Sequence, residues 1–135
     1  MTKTMLFLAL AAMLTVFSAA VLHAKEKNPY EGNSAAAREG EQIFGNHCQI
    51  CHGMGGKGDI CPNLTTRKKK YGDTDEDLYQ TISKGRPEGM PTWQNILGTE
   101  RIWKVITYIR SIESRHARRD QNVIHRGMEH RRIDA

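Results

Sequence analysis

Five residues constrain this chain more than any other feature: Cys48-Gln49-Ile50-Cys51-His52. On a helical turn, positions three and four apart share a face, so both thiols and the imidazole can point at one flat object. Two thiols that add across the two vinyl groups of haem form covalent thioethers, and the neighbouring imidazole then reaches the iron. The string C-x-x-C-H is the known signature of that attachment. Two other chemistries use closely spaced cysteines. A redox dithiol would have no need of the histidine. A zinc site would need two further ligands, and Cys61 alone does not supply them. Haem is the reading we adopt, and a buried cofactor would also staple a chain this small.

The chain has 135 residues, room for one domain. Lys3 is the only charge before Lys25, and between them runs an apolar stretch from Met5 to Val21. A positive start, an apolar middle and a small residue at the end form a secretory signal peptide. Cleavage is expected after Ala24, with Ser18-Ala19-Ala20 offering an alternative site. An uncleaved anchor is the competing reading, although the stretch falls short of the roughly 20 residues a spanning helix needs. Both readings place the folded part outside the cytoplasm, in the bacterial periplasm. Loss of Lys3 leaves 19 of the 20 basic side chains against 15 acidic ones, a net +4. That excess suits acidic partners weakly. No recognition motif accompanies it, so nucleic acid is not expected as a partner.

The rest reads as helices and loops. Ser34 can cap a helix over 35–47, with Ala36, Gly40, Ile43 and Phe44 on its inward face. Gly53 to Gly58 is too glycine-rich to stay helical. Thr74 opens a second helix with Asp75, Glu76 and Asp77 in the first turn, where acids favour the helix dipole. Leu78 and Ile82 face inward and Gly85 ends it. Gly85 to Asn95 contains Pro87, Gly89 and Pro91 and must be a loop. Thr99 caps a third helix with Ile102, Val105, Ile106, Ile109 and Ile112 on one stripe. The apolar period dies after Glu113, and a basic tail follows that we expect to be flexible. No strand pattern and no repeat is visible.

A haem iron needs a sixth ligand or an open site. Met90, in the proline-punctuated loop between the second and third helices, is the candidate. A thioether is soft and raises the potential of a histidine/methionine haem. Flanking prolines restrict the loop and would hold a weak ligand in place. The bland alternative is a methionine filling a core gap. Met54 lies too close to the haem-binding turn, and Met128 lies in the tail. His47, His116, His125 and His130 are read as solvated surface residues.

With these residues in order, the sequence resembles the class I (mono-haem) cytochrome c family of bacterial periplasmic type, over about Ala35 to Ile112. Gly40 and Phe44 stand eight and four residues before the first haem cysteine, as in the family, where they let the first helix cross the last one closely; Val105 and Tyr108 match on the last helix. Pro62-Asn63-Leu64 is similar to the family's Pro-Asn-Leu stretch. That similarity implies that the Pro62 carbonyl orients His52 and that Leu64 packs on the haem. Met90 matches the family's distal ligand. Cys61 departs from the pattern, which often has glycine there. It reads as a small buried thiol, with a redox-active thiol near the haem or an intermolecular disulfide as the sharper alternatives. Trp93 is expected to touch the haem or a propionate, and Trp103 to pack. Arg67 to Lys70 either guides an acidic partner or is simply a wet face.

The resemblance implies an all-α fold of three to five helices around one covalently bound haem c. It implies segments of 1–24 (signal peptide), 25–33 (irregular lead), 34–114 (cytochrome c domain) and 115–135 (basic tail). It implies a monomeric one-electron carrier rather than an enzyme, with no stable membrane insertion once the leader is cut. The stretch from Cys61 to Trp93 looks like the periplasmic cytochromes associated with quinoprotein (PQQ) alcohol dehydrogenases. Such a dehydrogenase is therefore an expected donor and a terminal oxidase an expected acceptor. The competing class is a haem subunit or sensor with an exchangeable sixth ligand or a redox-active Cys61.

Overall fold

A computed structural model describes residues 27–133. The expected signal peptide lies outside the described residues. Four α-helices carry the fold, and among the described residues the nearest thing to a strand is an isolated bridge between Arg86 and Met90.

Helix α1 spans Ser34–His47. Its cap is Asn33, one residue before the expected Ser34: the Asn33 side chain accepts from the Ala35 and Ala36 amides at 3.0 and 3.1 Å. Either residue type caps well, and the residue that adopts the extended backbone takes the role. Ala36, Gly40, Ile43 and Phe44 are buried, as their spacing demands. Helix α2 is the single turn Gln49–His52. Gly53, at φ 73°, stops it and opens a 3-10 turn over Met54–Gly56. Helix α3 spans Asp75–Lys84 and starts with a reciprocal cap, in which the Thr74 hydroxyl accepts from the Asp77 amide and the Asp77 carboxylate accepts from the Thr74 amide. Gly85, at φ 70°, ends it as expected. Helix α4 spans Gln94–Ile133 and is broken at Gly98, whose φ of 69° and ψ of 169° are not helical. The hydroxyl of Thr99, the expected cap, accepts from Gln94 Nε2 at 3.2 Å and shares a hydrogen bond with the Tyr79 hydroxyl at 3.1 Å.

Helix α4 is the spine. Helix α1 crosses it at Gly40, where a Cβ would lie 2.0 Å from the Lys104 carbonyl oxygen and 3.1 Å from Tyr108 Cβ. Phe44 and Tyr108 meet beside that crossing with ring centroids 5.3 Å apart. On the other flank, Tyr79 of α3 stacks on Trp103 at 4.5 Å, so Trp103 is a packing residue. The isoleucine stripe of α4 is buried from Ile102 to Ile112. An ion network tethers the intervening loop. Lys69 is paired with Glu113, and both side chains are nearly shut off from water (8 % and 6 % exposed). Arg110 bridges Glu113 and Asp75 at 2.9 and 2.6 Å. Buried Asn28 reaches Asp75 and Thr107 at 2.8 and 3.2 Å.

Burial stops after Glu113, where the apolar period stops, but the helix does not: α4 continues to Ile133, exposed over nearly all this length. The segment expected as a flexible tail is therefore drawn as helix. Arg, Ala, Gln and Glu are good helix formers, and local pairs such as His116 with Asp120 (3.0 Å) add to that propensity. Local preference sustains this part where packing is absent. No helix among the described residues is long and apolar enough to cross a membrane.

Two glycines of α1 should respond oppositely to alanine. Gly40→Ala forces a methyl into the Lys104 carbonyl and should cost about 1–3 kcal/mol or more. Gly45→Ala meets nothing within 4 Å and should gain up to about 1 kcal/mol. Thermal melts of the two variants check this.

Candidate functional site

The segment from Cys48 to Leu64 folds back on itself through main-chain bonds. The Cys51 and His52 amides donate to the Cys48 carbonyl at 3.1 and 2.9 Å, which makes the turn that aligns the three residues. Gly58 N–H returns to His52 O at 2.8 Å, Cys61 N–H to Cys51 O at 3.0 Å, and Leu64 N–H to Gly56 O at 2.7 Å. This return places the Pro62 carbonyl 2.9 Å from His52 Nδ1. A carbonyl only accepts, so Nδ1 carries the proton and Nε2 keeps its lone pair for a metal.

His52 lines a cleft of about 230 Å³. Met90 lines the same cleft, as do Pro62, Leu64 and Cys61. Leu78, Ile82 and Ile109 add apolar wall from α3 and α4. The Met90 loop is held by two bonds between its ends: Arg86 N–H to Met90 O at 2.8 Å and Gly89 N–H to Arg86 O at 3.2 Å. Glu88 on this loop pairs with Lys70 at 2.8 Å, and that bond together with Tyr71 pulls its carboxyl down to about 2.

The donor set suits an iron porphyrin. An imidazole with a fixed tautomer and a thioether border one apolar cleft, and two free thiols precede the imidazole by four residues and by one. Burial, with Cys51 adding, pushes the Cys48 thiol up to about 12. A redox dithiol needs the opposite shift. Among the described residues no three His, Cys, Asp or Glu side chains are grouped to hold a metal ion.

Not every expected residue converges. Neither Cys48 nor Cys51 lines the cleft: Cys51 adjoins it through Cys61, and Cys48 packs against the core. Trp93 lies off the cleft lining. It packs on the core, meets His47 with ring centroids 5.4 Å apart and tilted by 60°, and donates its amide to Ile82 O at 3.1 Å. Cys61 is half-buried on the cleft wall and so is not the buried thiol expected; desolvation first, then Cys51, raises its pKa. The basic run is not uniformly wet: Lys69 is buried against Glu113, and Arg67 and Lys68 are exposed. Sequence reasoning missed Arg86, Thr81 and Tyr71 as cleft residues. Arg86 sits inside the glycine-proline loop already singled out, and nothing in the sequence told which way it turns.

The family described as Cytochrome C oxidase, cbb3-type, subunit III matches residues 35–109. This chain belongs to that family. The match spans the haem string, the cleft and Met90, so the chain is an electron-transfer haem protein with a cytochrome c fold. It is 40 % identical over 79 residues to the cbb3-type cytochrome c oxidase subunit FixP of Bradyrhizobium diazoefficiens, covering 56 % of this chain and 27 % of that protein. It is 32 % identical over 77 residues to the quinohemoprotein alcohol dehydrogenase ADH IIB of Pseudomonas putida, covering 55 % of this chain and 11 % of that protein. Cytochrome CL of Methylophaga aminisulfidivorans superposes with a TM-score of 0.59 at 28 % identity, over 62 % of this chain and 57 % of that one. The chain thus spans about a quarter of the FixP relative's length.

The ion network beside the cleft should respond asymmetrically. Glu113→Gln takes the carboxylate from the shielded Lys69 and leaves Arg110 to Asp75, and should cost up to about 3–5 kcal/mol. Lys69→Met leaves Glu113 with Arg110 and should cost clearly less. Denaturant titration of the two variants measures the difference.

Proposed function

We propose that this chain carries single electrons outside the cytoplasm by way of one haem c. Cys48 and Cys51 would hold the haem covalently, and His52 and Met90 would supply protein ligands to its iron. The observation that carries this reading is the cleft shared by Met90 and a His52 whose Nδ1 is tied to the Pro62 carbonyl. When bound, such a haem supplies a one-electron iron couple.

The chain's own residues set the conditions for that couple. The Pro62 carbonyl fixes the imidazole's tautomer and raises its basicity. The Arg86–Met90 bridge and the two prolines hold the thioether in place. Leu64, Leu78, Ile82 and Ile109 exclude water from the cleft. With His52 and Met90 both given to the iron, no coordination site would be left for a substrate, which favours a carrier over an enzyme. The monomer would meet its partners in brief encounters over small interfaces. The export leader read from Met1 to Ala24 supports the periplasmic location.

For the partners, two relatives point in the directions the sequence suggested. Likeness to an alcohol dehydrogenase that is itself a quinohaemoprotein supports a periplasmic dehydrogenase as donor. Likeness to an oxidase subunit supports a terminal oxidase as acceptor. The same oxidase likeness favours a second reading, in which the chain is an electron-transfer subunit held within an oxidase assembly. Co-purification with an oxidase through detergent and salt washes would select that reading over the diffusing carrier.

The exported protein should be red, and its pigment should stay with the chain in acidified acetone. The oxidised form should show the weak far-red band of a methionine–ferric bond, and the reduced form should not readily bind carbon monoxide. Met90→Ala should abolish the band and open the iron to carbon monoxide. A band that survives Met90→Ala would reassign the sixth ligand.

A further inference from the structure

The net charge of the chain is not spread evenly. Residues 25–114 carry 13 basic and 12 acidic side chains, while 115–135 carry six arginines against three carboxylates. The excess sits on the extension of α4 beyond Glu113, where burial has stopped. Over 114–133 that extension runs for about 30 Å.

Its two sides are unlike. Ala117, Ile124 and Met128 recur at intervals of seven and four, so they share one side. Arg115, Arg119 and Arg126 recur at four and seven, starting two positions earlier, which puts them on the opposite side with Arg118 beside them. Ile124 and Met128 are 59 % and 49 % exposed, and the adjoining Val123 is 70 % exposed. Arg118, Arg119 and Arg126 are exposed too. The acid nearest to them, Asp120, is taken by His116 at 3.0 Å.

A helix that is apolar on one side, arginine-rich on the other and uncovered suits the boundary of a bilayer. There the apolar side chains reach below the phosphates, and the long arginine stems bend their heads toward them. Anionic lipid attracts the charge and neutral lipid does not. A second copy of this chain is disfavoured, because two extensions of like charge repel. A folded acidic partner would have to meet cations and apolar side chains on opposite sides of one helix, whereas a headgroup layer yields around both.

We propose that the extension of α4 over 114–133 is a peripheral arm that binds an anionic phospholipid surface. Arg118, Arg119 and Arg126 reach the headgroup phosphates, and Ile124 and Met128 sink below them. The arm lies on the bilayer without crossing it, since no described helix is long and apolar enough to span. Lipid binding goes beyond electron transfer and does not depend on it. Its consequence for a carrier does rest on the reading given above. Ile109 lines the cleft from the same helix, which has no break after Gly98, so the arm holds the cleft at a fixed offset from the membrane.

The exported holoprotein can be sedimented with vesicles of phosphatidylcholine alone and of phosphatidylcholine mixed with phosphatidylglycerol, bound protein being read by stain rather than by colour. It should bind the mixed vesicles, leave them as salt is raised, and ignore the neutral ones. Arg118→Gln, Arg119→Gln and Arg126→Gln together should weaken binding about a hundredfold. Ile124→Gln with Met128→Gln should weaken it about tenfold. All five positions are exposed and glutamine is a good helix former, so both variants should melt and absorb light as the unaltered protein does. Equal binding to neutral vesicles, binding to neither kind, or full affinity in either variant would overturn the proposal. Retention on immobilised polyglutamate without binding to vesicles would give the arm to an acidic protein instead. A concentration-dependent dimer that ignores vesicles and is lost with Ile124→Gln would give it to a second copy. A red protein that ignores vesicles removes the arm alone; a colourless one that binds them removes the haem reading alone.

Discussion

The close approach of α1 to α4 at Gly40 is the constraint on which the rest depends. Any side chain there would push the Lys104 carbonyl away. Because the backbones nearly touch, Phe44 one turn later reaches Tyr108, and the end of α1 is pinned against the spine. Cys48 follows at once, with its amide bonded to Phe44 O at 2.8 Å. The position of the haem string is thus inherited from a helix crossing rather than from contacts of its own. Burial of the isoleucine stripe drives the crossing, and the absent glycine side chain permits it.

A second tether acts from the other side. The stretch between Leu64 and Thr74 has no regular structure to hold it, yet it forms part of the cleft. Its anchor is ionic: Lys69 reaches Glu113, and Arg110 joins Glu113 to Asp75 at the start of α3. Buried ion pairs add little net stability, but they are unforgiving of a lost partner, so they specify one arrangement over others. Together the crossing and the network leave the cleft open between α3, α4 and the two loops.

Much of this was legible in advance, for identifiable reasons. Helix α3 was readable because Thr74, Asp77 and Gly85 are local signals that act within one turn of chain. The isoleucine stripe of α4 was readable because helical periodicity is a property of the sequence alone. Asn33 replaced Ser34 as the first cap because two adjacent residues could serve and only the backbone decided between them. The end of packing on α4 was readable from Glu113, but the end of the helix was not. Loss of an apolar face removes tertiary support while good helix formers continue.

The sequence by itself determined the chemistry: which thiols and imidazole share a turn, and which methionine sits in a stiffened loop. Those are matters of residue type at short separation, where chain geometry leaves few choices. Only the tertiary structure decided which side chains turn toward the cleft. It moved Trp93 away onto His47, buried one lysine of a run whose next residue pairs at the surface, and brought Arg86 to the cleft. Such placements depend on packing between elements far apart in the chain, and a long side chain in a loop carries no periodic signal to foretell them.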